Sequence, residues 1–296
     1  MTTAVAFIGF GEVGSVFSAA LAARGARVKA YDVLLEQDGG MGRLQARSAG
    51  AKVEFCGLSE ALRGARYVLS TVTTSVARAA AQRCVPDLCA GQIYLDLNAT
   101  DPGAKQELER IVSPSGAAFV EGAVLGAVGV SGAKTEILLG GPHARRAQAA
   151  LADELGLNVR FYSEETGKAS MFKMLRSVFS KGLEALLIEF LVAGERAGIR
   201  DDLWREVTAL MAAHPFETTA GNWVRSHASA HSRRYHEVKQ VANVLRQLGM
   251  EPTITSATEA FFRRSGSLGL SERFAAPAAT MDEVVRYFDL KLERQQ

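Results

Sequence analysis

The sequence predicts an α/β domain built on a doubly wound, mostly parallel sheet, followed by a domain made of helices alone. Three observations carry this expectation. Short apolar runs alternate with helical stretches over the first half, a glycine cluster joins the first run to the first helix, and beyond Gly167 long helical periodicities replace the short runs.

The elements follow in order. Residues 5–8 read as the first strand, and a helix starts near Gly11 and continues to Arg24. Residues 28–31 form the second strand, 67–72, 93–97, 118–120 and 136–139 supply later ones, and 159–162 closes the sheet. Helical periodicity then covers 169–197, 203–213, 235–248 and 254–264 with nothing strand-like between them. The change of character places a dinucleotide-binding domain at 1–165 and an all-helical substrate and dimerisation domain at 166–296, joined directly by a helix.

Composition narrows the class of function. A chain of 296 residues with 48% hydrophobic content fills a sizeable core. A net charge of only +2, with Lys and Arg scattered among acids, argues against nucleic acid as a partner. Cys56, Cys84 and Cys89 make neither an even set nor a CxxC pair, so neither a disulfide framework nor a metal site is expected, and a reducing cytoplasm fits. The N-terminus enters a strand without the pattern of a signal peptide. The most apolar later run, 183–194, is interrupted by Glu184 and Glu189 and reads as a buried helix, not a membrane span. Its apolar surface exceeds what a small domain covers, so a symmetric homodimer is expected.

Gly9-Phe10-Gly11-Glu12-Val13-Gly14 is a GxGxxG that leaves a strand and opens a helix. The first glycine permits the tight turn, Gly11 lets backbone approach a pyrophosphate, and Gly14 allows close packing of the helix, whose free N–H groups face the anion. The second strand ends at Asp32, about 20 residues on, where a carboxylate accepts hydrogen bonds from ribose hydroxyls. These features predict a Rossmann domain holding NAD. Asp32 repels a 2′-phosphate, while Arg43 and Arg47 downstream leave NADP as an alternative.

The order of later motifs resembles the beta-hydroxyacid dehydrogenase superfamily, which includes 3-hydroxyisobutyrate and 6-phosphogluconate dehydrogenases. Thr71, Val72 and Thr73 match its loop near the nicotinamide, and Asp96-Leu97-Asn98-Ala99-Thr100-Asp101-Pro102 matches D-x-S-T-x-x-P, with Asn98 for the serine. Glu121-Gly122-Ala123-Val124-Leu125-Gly126-Ala127 stands where the family has D-A-P-V-S-G-G, and Gly167 to Lys173 match G-x-G-x-x-x-K with Ala169 at the second glycine. The resemblance implies a helical domain of the 6-phosphogluconate dehydrogenase C-terminal type, a catalytic role for Lys173, and cofactor contacts from Thr71, Val72, Thr73 and Asn98. It points to a bacterial branch of the superfamily with a divergent helical domain.

The expected chemistry is hydride transfer between nicotinamide and a small anionic beta-hydroxy acid, alcohol or semialdehyde. Lys173 serves as the general acid/base if burial or a neighbouring cation lowers its pKa. Arg176 lies one turn on, where it keeps the amine neutral and suits a carboxylate. Ser177 stands where many relatives have an asparagine. Leu125 replaces the serine that the resemblance assigns to carboxylate binding, with Gly126 beside it, and a leucine donates no hydrogen bond. His236 is a further substrate-side candidate, weighed equally against a solvated helix start. Two alternatives stay open: an imine reductase-like enzyme, although those relatives usually lack the lysine, and a non-catalytic dinucleotide sensor.

Overall fold

The computed structural model describes residues 3–293. The chain forms two compact units, Met1–Val178 and Phe179–Gln296. In the first, eight strands make one sheet: β1 (Ala4–Ile8), β2 (Arg27–Tyr31), β3 (Val53–Phe55), β4 (Tyr67–Ser70), β5 (Ile93–Asp96), β6 (Ala118–Val124), β7 (Ile137–Gly140) and β8 (Val159–Ser163). Their order is β3-β2-β1-β4-β5-β6-β7-β8, and every neighbouring pair is parallel except β6 with β7. Strands β3 to β6 thus follow the 3-2-1-4-5-6 order of a dinucleotide-binding sheet. The helices between strands are α1 (Glu12–Ala23), α2 (Gly40–Ser48), α3 (Leu58–Leu62), α4 (Ala77–Cys84), α5 (Pro102–Val112), α6 (Val128–Ser131) and α7 (Ala144–Leu155).

The sheet is buried on both faces, which is why its strands read as continuous apolar runs. Phe7, Phe17, Leu21, Leu69 and Leu95 fill one face, while Ala6, Val68, Ala81, Tyr94 and Phe119 fill the other. The sequence expectation missed β3, because three residues are too few to show a period.

Helix α8 (Lys168–Ala197) begins beside the sheet, and one buried carboxylate fixes its start. Glu121, in the middle of β6, accepts hydrogen bonds from the backbone N–H groups of Gly167 at 2.7 Å and Ser170 at 2.6 Å. These are among the N–H groups that a helix start leaves without partners. Glycine at the facing position of β7 makes the contact possible, since a Cβ on Gly140 would stand 2.4 Å from Glu121 Oε2. Gly167 itself has φ +100°, and a Cβ there would press on Pro102 at 3.1 Å. Ala169 then packs on Ala123 and Leu138, with Leu125 and Phe172 at the edge of the cluster.

A second buried polar group sits between β5 and α5. The Lys105 ammonium, fully buried, donates to Asp96 Oδ2, to the Asp96 carbonyl at 3.0 Å and to the Asn98 carbonyl at 2.7 Å. All three of its protons are used, the condition under which a buried cation is tolerated.

The second unit continues with α9 (Arg200–Ala213), α10 (Phe216–Gln247), α11 (Thr253–Ser267), α12 (Leu270–Arg273) and α13 (Met281–Glu293). Helix α10 starts nineteen residues earlier than the expected 235, so His231, Arg233, Arg234 and His236 lie inside a helix and not at its start. Ala228, Leu270, Phe274, Ala278 and Val284 form this unit's core, and Glu189 caps α11 by accepting from the N–H groups of Ile254 and Thr255. Trp204 and Trp223 are half exposed in the single chain.

Removing the Glu121 carboxylate leaves two buried donors without partners, each costing roughly 1–3 kcal/mol. Glu121→Ala should therefore lower unfolding stability by about 2–6 kcal/mol in a urea titration. A loss under 1 kcal/mol would mean that the carboxylate is dispensable to the helix start.

Candidate nicotinamide-cofactor site

The glycine turn at the end of β1 has the geometry that its residues foretell. Gly9 has φ +88°, and a Cβ there would meet Val72 Cγ1 at 2.7 Å and the Thr71 carbonyl oxygen at 2.8 Å. A Cβ on Gly14 would strike the Gly9 carbonyl oxygen at 2.7 Å, whereas one on Gly11 would meet nothing within 4 Å. The outer two glycines are thus required by the protein's own packing. The middle one faces open space, where backbone can approach a phosphate. Thr71 Oγ1 donates to the Gly9 carbonyl at 2.7 Å, tying the end of β4 to the turn.

A cavity of about 640 Å³ opens along this edge, within the size range of small-molecule sites. Gly9, Phe10, Gly11, Glu12 and Val13 line it from the turn, and Asp32 and Val33 from the end of β2. Thr71, Val72 and Thr73 line it from the end of β4, and Val76, Ala79, Ala80 and Arg83 from α4 and the turn before it. The Asp32 carboxylate accepts from the N–H of Phe10 at 2.7 Å and from that of Leu34 at 2.9 Å, which holds it against the glycine turn. The N-terminus of α1 and this fixed acid fit a dinucleotide: N–H groups for the pyrophosphate and an acceptor for ribose hydroxyls.

Four charged residues meet around the Asp32 end. Arg47 donates to the Phe10 carbonyl at 3.3 Å and lines the cavity, while Arg43 is turned to Gln37 at 3.0 Å. Arg83 donates to Tyr31 Oη at 2.7 Å and to Glu36 Oε1 at 3.0 Å. Tyr31 Oη also donates to Glu36. Those two hydrogen bonds hold the Glu36 carboxyl below the ordinary carboxylate range. Arg83 was not foreseen, although Val76, Ala79, Ala80 and Arg83 carry the i, i+3, i+4, i+7 spacing that puts them on one helix face.

Asn98 lies in a different environment from Thr71, Val72 and Thr73. It is buried, and its amide donates to Ser70 Oγ at 2.9 Å and to Asp96 Oδ1. This leaves its side-chain oxygen, Oδ1, as a buried acceptor without a partner among the described residues. The Lys105 ammonium completes the group through Asp96.

Lys173 lies in the second turn of α8 and is half-buried. Burial first, then the charges of Lys105 and Arg176, hold its pKa below the ordinary 10.5. Lys105 is the contributor that sequence reasoning missed, since a lysine among the acids of α5 reads as a surface residue. Arg176 and Ser177 are exposed on the next turn, with Ser177 Oγ bonded to the Lys173 carbonyl at 3.0 Å. Leu125 packs on the cluster that includes Phe172, next to the lysine, and Gly126 follows it, exposed with φ +153°.

In the second unit His236 is exposed on α10. His227 is buried among Phe261, Phe262 and Phe288 and bonded to Ser265 Oγ at 2.9 Å. Burial, then His231 and Arg234, push it down to about 4. It belongs to a cavity of about 460 Å³ walled mainly by aromatic and aliphatic side chains. Glu54, Cys56 and Glu60 come within ligand distance of one another, but the Lys29 ammonium pairs with both carboxylates, at 3.3 and 3.4 Å.

Comparison with known proteins agrees with the fold. Conserved protein MTH1747, of unknown function and described as structurally similar to 3-hydroxyacid dehydrogenases, is 28% identical, covering 89% of this chain and 97% of its own, with a TM-score of 0.59. An imine reductase variant from Myxococcus stipitatus, solved with NAD+, shares the fold at a TM-score of 0.77 and 14% identity, covering 97% of this chain and all of its own. An uncharacterised 28.5 kDa protein of Methanothermus fervidus is 24% identical over 264 residues, which is 88% of this chain and 97% of that protein. Residues 195–265 match a domain of unknown function, DUF1932. Residues 4–154, just over half of the sequence and the part that holds the glycine turn and Asp32, match a second model; the chain therefore belongs to the family described as the NAD binding domain of 6-phosphogluconate dehydrogenase.

Proposed function

We propose that this protein is an NAD-preferring oxidoreductase that moves hydride between the nicotinamide and a small anionic beta-hydroxy acid, alcohol or semialdehyde, with Lys173 as general acid/base. The observation that carries the reading is a half-buried amine whose surroundings favour its neutral form, on a helix anchored to the dinucleotide sheet. Bound NAD would supply a hydride acceptor at the nicotinamide C4. As an alcohol is oxidised, the neutral Lys173 Nζ takes the hydroxyl proton, and in the reverse direction the ammonium returns it to the carbonyl oxygen. Arg176 offers a planar pair of donors for the substrate's anionic group. Asn98 Oδ1 serves as a further cofactor-side contact and the backbone at Gly126 as a substrate-side one. Asp32 favours NAD over NADP by repelling a 2′-phosphate.

Leu125 supports a second reading, imine reduction. An apolar, non-donor side chain in place of a serine removes a carboxylate contact and suits an uncharged substrate. Screening beta-hydroxy acids with NAD+, and semialdehydes and cyclic imines with NADH, separates the readings by which substrates change absorbance. NADH binding with no turnover on any of them would instead favour a sensor.

The exposed apolar side chains of α8, Leu183 and Leu186 on one side and Ile188 and Val192 on the other, support a homodimer. Sedimentation should report twice the chain mass, and a monomer at micromolar concentration would reject it.

Lys173→Ala should lower kcat by roughly 10²–10⁴ while NADH binding persists. Equal turnover in the variant would remove the lysine from the chemistry.

The pH profile carries a separate expectation. Alcohol oxidation should rise with pH as Lys173 loses its proton and level off below 10.5. Arg176→Ala removes one of the cations that disfavour the ammonium, so the limb should move up in pH. KM for anionic substrates should rise by about tenfold or more, the loss of a charge-assisted contact. An unmoved limb together with an unchanged KM would exclude Arg176 from the site.

A further inference from the structure

The charged group at the Asp32 end of the cavity has an arrangement that Asp32 alone does not explain. Arg83 is the cation of α4 that lines the cavity, and it stands over the Tyr31 ring with Cζ 5.2 Å from the centroid. Tyr31 is almost fully buried and immediately precedes Asp32, so the guanidinium is held beside the strand end where ribose hydroxyls are read. A guanidinium in that position is the group a 2′-phosphate would recruit, through paired N–H donors matched to phosphate oxygens. Here both N–H groups of Arg83 Nη2 are already engaged, one by Glu36 and one by Tyr31, which pins the guanidinium against the ring. Glu36 is on the short turn that follows Asp32, and its side chain is 57% exposed, so packing does not demand a carboxylate there.

We propose that Glu36 is a positioning residue for cofactor choice. It holds Arg83 in an ion pair against Tyr31 and thereby withholds from the adenosine ribose the cation that a 2′-phosphate needs. Discrimination against NADP is thus divided between Asp32, which repels the phosphate directly, and Glu36, which occupies the cation and adds a second negative charge. An exposed ion pair of this kind contributes little to stability. Its effect is on which ligand charge the site accepts, a difference between two affinities and not a gain in either. The inference rests on the NAD-preferring reading of the same site.

The test measures equilibrium binding of NADH and NADPH, by nucleotide fluorescence, to the full chain and to three variants. Glu36→Gln should raise the affinity ratio of NADPH to NADH on the order of tenfold, by removing one repulsion and releasing a phosphate-binding guanidinium. The gain should shrink as salt is added, because exposed charges are screened. Glu36→Asp, which keeps the carboxylate, should retain most of the wild-type ratio. Glu36→Gln with Arg83→Ala should fall back to within about twofold of wild type, since the freed cation is gone. A ratio unchanged in Glu36→Gln, or a gain fully kept in the double variant, would overturn the proposal. The wild-type ratio separately tests the NAD preference. A wild type that binds NADPH more tightly defeats that reading, while the role of Glu36 is read from the change relative to wild type.

Discussion

The hydrogen bonds from the start of α8 to Glu121 join the two chemically distinct parts of the first unit. The glycine turn and the strand ends at Asp32 and Thr71 are set by the sheet itself, through backbone ladders and contacts that leave no room for a Cβ. Lys173 belongs to a helix that starts after the last strand, and its position depends on how firmly that helix is held. A carboxylate on β6 that satisfies two free N–H groups holds it; Gly140 gives that carboxylate room, while Gly167 is required by its φ of +100° and the approach of Pro102. A negative charge also suits the positive end of a helix dipole.

Electrostatics divides the charged groups of the first unit into two regimes. Around Lys173 the neighbouring charges are of its own sign, one fully buried and one exposed, and with partial burial they favour the unprotonated amine. The acid that neutralises Lys105 within the sheet is itself shared with Asn98, so the amide orientation and the ion pair are fixed together. At the end of β2 the charges are interleaved: Asp32 and Glu36 against Arg47 and Arg83. The first arrangement tunes a proton affinity. The second sets the net charge that a ligand meets.

Much of the architecture was legible in the sequence because buried parallel strands read as apolar runs and because GxGxxG followed by an acid has a tight geometric meaning. Strand β3 was not legible, since Val53–Phe55 is too short to show a period. The early start of α10 was hidden for another reason. Its stretch from Ser226 to His236 packs through Ala228 and the buried rings of His227 and His231, and small or polar residues leave no apolar periodicity. Lys105 and Glu121 were hidden because their meaning is tertiary. A lysine on an amphipathic helix and a glutamate in a strand show their partners only when β5, β6 and the start of α8 come together. The same is true of Arg83, whose neighbour Glu36 is 47 residues away along the chain.

Under the proposed function Asp32 does two jobs, since the carboxylate that would accept from the ribose also accepts from the N–H groups of Phe10 and Leu34. A lineage or an engineer wishing to exchange one dinucleotide for the other would therefore meet a folding penalty at Asp32, because shortening or neutralising it slackens the loop that every dinucleotide must grip. Neighbouring surface positions carry no such obligation. The evolvable part of this pocket is its solvent-facing rim, and the acid at the strand end is the part that drift can least afford to touch.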